Sequence, residues 1–436
     1  MSQAAAATPF VASQRDAELP TSGIGWLDAA RRENLDSFLG AGLPDTRVEA
    51  FKYTALRALS QRSFVLGDAH IATRVVDPAT LQLPGVDGAR LVFVNGALRL
   101  DLSSLDALPE GLSLQPLSQA LESESELLRF ALARHYREPA DAFAQLNAAF
   151  ASEGVVLRVA AGAQIAAPVQ LCFVGAAAEG DVAWHLRHVI ELGEGASLSL
   201  IEHHATCGAH AHLGTSLADV VVGERAHLQH VTVQAAAEGS ALVRRTAVQL
   251  RAGAHATLHA LELGAGLSRH ELQVELVGDG ARLETRGAFV MHGRQHADTQ
   301  MLVRHTAKHT ASDSLWRGVA DDRSRGVFRG AIYVAPGADG SDAALSNKNL
   351  LLSGSAEIDT KPELEIHADE VKAAHGATVG QLDPRALFYL RSRGIPQAQA
   401  RAMLTAAFCR AVLDDLPNEA LREHLSELVA THLPQA

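Results

Sequence analysis

Alternation of apolar and polar residues dominates the middle of the chain, from residue 151 to residue 378. It opens at residues 155–159 (VVLRV) and continues with period two through Leu198 and Leu200, and through Leu228, Val231 and Val233. Because successive side chains of a strand point to opposite faces, this period predicts a series of β-strands with one buried face each.

A short repeat runs through the same region. Its copies are GEGASLSL (193–200), GERAHLQH (223–230), RAGAHATL (251–258) and GDGARLET (278–285). They share an alanine, which is Ala196, Ala226, Ala254 and Ala281 in turn, so the copies follow one another at nearly equal intervals. A turn, a small residue and then alternation are typical of the stacked coils of a β-solenoid. A β-sandwich with similar hairpins is the alternative.

Residues 1–150 are predicted to form a mixed, mainly helical domain. Apolar spacing indicates one helix through residues 26–39 and another through residues 143–150. The apolar stretch 91–94 predicts a short strand, and the Asn95-Gly96 turn ends it. Ser123 and Glu126 have the spacing of a capping box, which predicts a helix beginning there.

Residues 379–436 are predicted to form a helical C-terminal domain. Asp383 before Pro384 is a typical helix start, Gly394-Ile395-Pro396 interrupts the helix, and Asn418 is a second candidate N-cap. A domain of this size buries little surface alone, so we expect it to dock on the solenoid or on a partner.

Charge and composition argue against several classes of function and partner. The chain has 436 residues, 38 Lys and Arg against 50 Asp and Glu, and a net charge of −12, which argues against a nucleic-acid or anionic-membrane partner. Three cysteines cannot form a disulfide framework, and the N-terminus lacks the basic and apolar regions of a signal peptide. We expect a cytoplasmic protein.

Catalytic motifs are missing from the sequence. There is no P-loop, no G-x-S-x-G elbow, no H-E-x-x-H and no C-x-x-C. We therefore expect a protein that is not an enzyme.

Histidine is abundant, and 15 of the 21 residues lie between His185 and His309. His203, His230 and His259 stand about one repeat apart, so they could stack as a ladder on one face of a solenoid and bind metal. The alternative is that polar positions of the coils simply tolerate histidine. A metal-binding or carbohydrate-active β-solenoid stays open at this point.

The end of the β region holds a second group of polar residues. Glu363, Glu365 and His367 share one face of a strand by alternation. His375 is followed by small residues, which let another backbone or a ligand approach closely. A structural histidine is the alternative.

Several motifs together resemble the SufB/SufD family of iron–sulfur cluster assembly proteins. They are Lys348 to Ser353 (KNLLLS), Thr360 to Ile366 (TKPELEI), Val371-Lys372, His375 to Gly380 (HGATVG), Leu387 to Gly394 (LFYLRSRG), Phe51 to Thr54 (FKYT), Leu146 to Phe150 (LNAAF) and Glu153 to Leu157 (EGVVL). The forms HGATVG and YLRSRG favour the SufD branch over the SufB branch.

This resemblance implies a right-handed parallel β-helix flanked by helical N- and C-terminal regions. It implies a non-ATPase scaffold subunit that pairs with a SufB-like paralogue through the β-helices. It also implies that a SufC-like ABC ATPase docks on the C-terminal helices, where Phe388, Tyr389, Arg391 and Arg393 would contact it.

By the same motif match, His375 would lie at the interface with the SufB-like chain and support the nascent iron–sulfur cluster. Some relatives carry a cysteine two residues earlier, where this chain has Ala373. His375 would therefore act with ligands from the partner, and the isolated chain would hold no cofactor stably. A homodimer of this chain, acting as a SufB-like scaffold, is the alternative.

Overall fold

The computed structural model describes residues 8–67, 75–106 and 108–433. These residues form a parallel β-helix, and helices from the N-terminal and C-terminal parts of the chain pack on it. The helices are α1 Pro9–Arg15, α2 Gly25–Ala41, α3 Arg57–Ser60, α4 Leu117–Leu132, α5 Ala142–Phe150, α6 Pro384–Ser392, α7 Gln397–Arg410 and α8 Glu419–His432. The predicted mainly β fold with helical flanks is confirmed.

The strands that precede the repeat region are β1 Val65–Leu66, β2 Arg90–Val94, β3 Ala97–Leu98, β4 Leu112–Pro116, β5 Glu153–Val159 and β6 Val169–Ala176. The coils continue with β7 Val182–Leu192, β8 Ser197–Cys207, β9 Leu213–Val222, β10 His227–Gln234, β11 Ala241–Leu250, β12 His255–Glu262 and β13 Leu267–Leu276. The last are β14 Arg282–Met291, β15 His296–His305, β16 Ala311–Ala320, β17 Arg325–Val334, β18 Asp342–Leu351, β19 Glu357–Ile366 and β20 Lys372–Gly380.

Two sheets form the walls of the solenoid. From β5 onward the odd-numbered strands make one sheet and the even-numbered strands make the other, and all of these pair in parallel. Each coil therefore adds one strand to each sheet. The earlier strands close the N-terminal end, since β4 pairs antiparallel with β5, β2 joins β6 in parallel, and β3 pairs antiparallel with β2.

The repeated alanines lie in the turns, each directly before a strand of the even-numbered sheet. Ala196, Ala226, Ala254 and Ala281 are fully buried. They stack from coil to coil, because the amide of His227 donates to the carbonyl of Ala196 at 2.8 Å and the equivalent bonds recur in the following coils. A small residue is required where the turns stack this closely, so the solenoid interpretation of the repeat is confirmed and the sandwich is not formed.

Each strand has a lumen face and an outer face. Leu198, Leu228 and Leu283 belong to the apolar core of the lumen. The outer face of the even-numbered sheet is covered by α7, α8 and the turn between them, with Val231 and Val233 in the same apolar cluster as Leu416 and Leu425. Helices α1, α2 and α5 pack over the odd-numbered sheet.

Several local predictions are confirmed. Asn95 and Gly96 have positive φ of 49° and 84°, as a tight hairpin turn requires. The Asp383 side chain accepts a hydrogen bond from the amide of Arg385, and that of Asn418 accepts one from the amide of Leu421. Among the described residues, no helix is long and apolar enough to cross a membrane.

The capping box at Ser123 is not formed, although the helix breaks at the next residue, Glu124, and a second helical segment follows it. Helix α4 begins earlier, at Leu117, and is kinked at Glu124 (φ −145°, ψ 32°). The Ser123 hydroxyl bonds back to the carbonyl of Gln119 at 3.5 Å instead of capping, and the Glu124 carboxylate turns towards Arg158 at 2.6 Å. This long-range ion pair could not be seen in the local pattern.

Candidate functional site

The C-terminal end of the solenoid is open within the part of the chain that the structure describes. Strands β19 and β20 each pair on one side only. Most of β20 is exposed, and so are the apolar side chains of Ile366 (40%) and Val379 (43%). Solenoids normally cover their terminal coils with a polar cap, so an uncovered coil end indicates a surface for another chain.

His375 lies in the middle of β20, at this open end. It pairs in register with Leu345 of β18, a lumen residue that is only 3% exposed. Partners in a parallel register point to the same face, so the imidazole of His375 lies on the lumen face of the last coil. The position two residues before it is Ala373, which faces the same way and carries no ligand atom.

The outer face of β19 carries the acidic residues that the sequence singled out. Glu363 binds Arg329 (2.6 Å) and Lys361 (2.8 Å). Partial burial acts to raise the pKa of Glu363, but the bonds from these two cations hold it below its usual range. Glu365 binds His367 at 2.8 Å, so these side chains share a face as predicted. They lie opposite to the face that carries His375.

The thiols of the chain are poor candidates for a cluster ligand. Cys172 and Cys409 are fully buried, and burial raises the pKa of each to about 12. Cys207 is half-buried, with its Sγ 3.6 Å from the carbonyl of Val75. Burial therefore keeps Cys172 and Cys409 protonated at neutral pH, which makes them poor metal ligands.

Helix α6 forms a second exposed surface, distinct from the open coil end. It contains no buried residue. Phe388 is 73% exposed and Tyr389 56%, and Arg391 and Arg393 are also exposed. The guanidinium of Arg393 stacks on the Tyr389 ring at 5.1 Å and donates to its hydroxyl at 3.1 Å. An aromatic and basic helix face without intramolecular cover is suited to bind another protein.

The motif at residues 51–54 attaches the N-terminal region to the outer face of the solenoid. The Phe51 ring is fully buried beneath the guanidinium of Arg269 at 4.0 Å. The Thr54 hydroxyl donates to the Asp298 carboxylate at 2.6 Å. Nearby, Glu49 binds Lys361 of β19 at 2.5 Å. The motif therefore positions the N-terminal region beside the open end, a role that the sequence did not indicate.

The proposed histidine ladder is wrong. The register of β10 places His230 opposite Leu200 and Leu258, whereas His203 lies opposite Val233 and His259 opposite Val231. His230 therefore faces the lumen, and the other two face outward beneath the C-terminal helices. The similar spacing is misleading. His230 lies three positions before the true partner of His203, and His259 lies one position after the true partner of His230. A shift by an odd number of positions moves a side chain to the other face of the strand.

The lumen contains a polar cluster that the sequence analysis missed. The Glu202 carboxylate contacts His204 (2.5 Å) and His230 (3.1 Å), and Glu262 pairs with Arg244. Burial acts to raise the pKa of Glu202, but bonds from the two imidazoles hold it well below its usual range. The sequence does contain a signal for this cluster: charged residues such as Glu202 occupy positions where the alternating pattern predicts apolar lumen residues. Among the described residues, no three His, Cys, Asp or Glu form a group that could hold a metal ion.

Comparison with known proteins agrees with these features. Residues 12–171 match the family model for the SufBD protein N-terminal region, and residues 173–408 match that for the SufBD core domain of the SUF system for FeS cluster assembly.

Individual relatives match most of the chain. The iron–sulfur cluster assembly protein SufD of Escherichia coli is 31% identical over 405 residues, which is 92% of each chain. A SufBD family protein of Synechocystis is 28% identical over 409 residues (92% of this chain, 90% of the relative), and SufD of Bacillus subtilis is 28% identical over 291 residues (65% of each). The chain therefore belongs to the SufBD family of iron–sulfur cluster assembly proteins.

Proposed function

We propose that this chain is a non-ATPase scaffold subunit of the SUF machinery that pairs with a SufB-like paralogue through the open end of its solenoid. The observation that supports this most directly is the uncovered last coil with His375 on its lumen face. A related solenoid has the same two-sheet cross-section, so its own end can cover both the lumen and the strand edges. The iron–sulfur cluster that forms between the two chains is cargo of the assembly and passes on to other proteins.

His375 supplies one imidazole ligand at the seam between the two chains. A single histidine cannot enclose a cluster, and Ala373 offers no thiolate beside it. The paralogue therefore provides cysteine thiolates, and imidazole nitrogen completes the ligand set, as it does in mixed Cys/His iron–sulfur sites. The isolated chain then holds no cluster stably.

ATP hydrolysis belongs to a SufC-like ABC ATPase that docks on α6. Phe388 and Tyr389 supply the apolar contact, and Arg391 and Arg393 supply positive charge around it. The helix projects from the C-terminal domain, residues 379–436, whose remaining helices pack on the solenoid. Movement of the ATPase is thereby transmitted to the core.

The first test combines assembly with cluster yield. Native mass spectrometry of the complex purified from the cytoplasm of its host should show this chain with a SufB-like chain and ATPase subunits. His375→Ala should leave this assembly intact and lower the yield of reconstituted cluster at least fivefold. His367→Ala is the matched control, because it removes an exposed imidazole from the opposite face of the same coil.

Two results would contradict the proposal. A homodimer that assembles clusters without a paralogue would favour a SufB-like scaffold instead. Equal cluster yields from the His375→Ala and His367→Ala complexes would remove His375 from the cluster site.

A further inference from the structure

Two asparagine side chains are buried in the lumen directly behind the open end of the solenoid. Asn347 and Asn349 of β18 are 0% and 2% exposed. In the register between β18 and β20 they lie opposite Ala377 and Val379, and therefore on the same lumen face as His375. Burying an amide without hydrogen-bond partners costs free energy, so the partners of these two side chains indicate what they do.

These amides connect the last strands of the two sheets. The side-chain amide of Asn349 donates to the Oδ1 of Asn347 at 2.6 Å and to the carbonyl of Thr378 in β20 at 3.0 Å. From β19, in the other sheet, the Thr360 hydroxyl donates to the same Oδ1 at 2.8 Å. Hydrogen bonds therefore cross the lumen from one wall to the other at its open end. We call Asn347, Asn349 and Thr360 the amide clamp.

The preceding coil joins its two walls by apolar packing instead. Trp316 and Gly318 of β16 are the register partners of Asn347 and Asn349. The Trp316 ring packs against the ring of Phe328 in the other sheet, with centroids 5.3 Å apart. Residue 318 must be glycine, because a Cβ there would overlap the Oδ1 of Asn349. The fold thus leaves space for the buried amide at the expense of a core side chain.

The last coil has few side chains with which to pack in this way. The lumen face of β20 carries Ala373 and Ala377, which are small, and Val379, which is 43% exposed. Hydrogen bonds weaken steeply when their distance or angle changes, so a set of them fixes geometry that loose apolar contacts cannot. The amide clamp therefore supplies the rigidity that the open end lacks.

We propose that the amide clamp positions His375 for its role at the cluster, by holding β20 at a fixed distance from β19 across the lumen. This inference rests on the proposed function and adds the residues that orient its histidine. Asn347, Asn349 and Thr360 are positioning residues, since they act through β20. Groups that orient a metal ligand typically change metal affinity or activity 10- to 100-fold, so the clamp should matter for cluster assembly.

Hydrogen exchange of the isolated chain tests the clamp without any cluster. Asn349→Leu keeps a branched side chain and removes its hydrogen bonds, so amide exchange in peptides covering residues 372–380 should become at least fivefold faster. Thr285→Val is the matched control, because the buried Thr285 hydroxyl accepts a hydrogen bond from the Trp316 indole at 3.1 Å, two coils deeper in the lumen. It should change exchange in residues 372–380 less than twofold. Thermal unfolding establishes that both variants fold, and Thr360→Val replaces Asn349→Leu if that variant does not.

A spectroscopic measurement tests the positioning of His375 itself. The chain is labelled with ¹⁵N-histidine, assembled with the SufB-like paralogue and the ATPase, reconstituted with iron and sulfide, and reduced. Pulsed EPR should detect a histidine nitrogen coupled to the cluster in the wild-type complex but not in His375→Ala. Thr360→Val should lower the amplitude of this coupling at least twofold. Thr360→Ser, which restores the hydroxyl, and Thr285→Val should match the wild type.

The outcomes separate this inference from the proposed function. Unchanged exchange in Asn349→Leu, or equal acceleration in Thr285→Val, would overturn the clamp. Equal nitrogen coupling in Thr360→Val and Thr360→Ser would overturn the positioning role while His375 remains a ligand. A wild-type complex without any histidine nitrogen coupling would overturn the ligand role of His375 in the proposed function, and the positioning role with it.

Discussion

Asp415 connects the C-terminal helical region to the solenoid through two basic side chains. Its carboxylate binds the Nε of Arg286 at 2.7 Å and the Nε2 of His259 at 3.0 Å. Partial burial acts to raise the pKa of Asp415, but the bonds from these side chains lower it to about 2. A depressed pKa means that the folded protein favours the ionised carboxylate, so the interaction stabilises the docked helices.

Asp415→Asn tests this contribution through its pH dependence. We expect the free energy of unfolding at pH 7 to fall by about 1 kcal/mol, a value reduced for solvent screening because the side chain is 38% exposed. A carboxylate with a lowered folded pKa stabilises the fold above its unfolded pKa of 3.8, and loses this effect as the pH falls towards 2. The difference between variant and wild type should therefore shrink across this range.

Urea unfolding at a series of pH values measures this difference, and Asp414→Asn provides the control at an exposed neighbouring carboxylate. A difference that stays constant from pH 7 to pH 2 would show that the substitution acts through packing and not through charge.

Single residues also show how the fold uses some of its histidines. His204 and His230 bond to Glu202 inside the lumen, whereas His259 binds Asp415 on the outer face. These imidazoles serve as hydrogen-bonding partners within the fold. Composition alone could not distinguish this structural use from metal binding.

At the scale of elements, α6 and α8 have similar N-caps but different surroundings. Asp383 caps α6 through the amide of Arg385 at 2.8 Å, and α6 buries none of its residues. Asn418 caps α8 through the amide of Leu421 at 3.0 Å, but α8 also buries Leu421, Leu425 and Val429. We therefore expect local interactions to contribute more to the stability of α6 than to that of α8, where packing dominates.

Asp383→Ala should loosen α6 selectively. Loss of an N-cap costs about 1 kcal/mol, so amide exchange within residues 384–392 should become about fivefold faster. Asn418→Ala, the matched control, should change exchange in residues 419–432 far less, because packing retains that helix. Hydrogen exchange with mass spectrometry measures both. Similar acceleration in the two variants would indicate that α6 is held by contacts other than its cap.

At the scale of the whole molecule, the two surfaces that we propose bind partners lie on different elements. The open coil end presents strand edges and His375, and α6 presents Phe388 and Tyr389. The C-terminal helices join them, because α7 and α8 pack on the even-numbered sheet that ends in β20. Assembly with the paralogue and docking of the ATPase should therefore be separable by substitution.

Phe388→Ala combined with Tyr389→Ala tests this separation. We expect binding of the SufC-like ATPase to weaken at least tenfold, because exposed aromatic side chains dominate such interfaces. The melting temperature and the affinity for the paralogue should stay unchanged, since neither side chain is buried. Titration calorimetry measures the affinity for the ATPase and for the paralogue, and thermal unfolding measures the melting temperature.

Leu127→Ala, which removes a side chain 63% exposed on α4, is the control for a general loss of apolar surface. Unchanged ATPase binding in the double variant would place the docking surface elsewhere on the chain.

Interactions between residues that are close in sequence made much of this fold predictable. Period two in the β region, the buried alanines such as Ala226, and the caps at Asp383 and Asn418 each depend on residues near one another in sequence. The motif match likewise singled out His375 as a candidate site residue, and its role in cluster assembly stays a prediction.

Tertiary structure decided what depends on pairing between coils. The coils differ slightly in length, so only their pairing sets the register, and the register determined that His230 faces inward and His203 outward. It also determined that His375 lies on the lumen face of an uncovered coil. Each of these depends on contacts between residues a full coil apart in the chain, and no local pattern of apolar and polar residues specifies them.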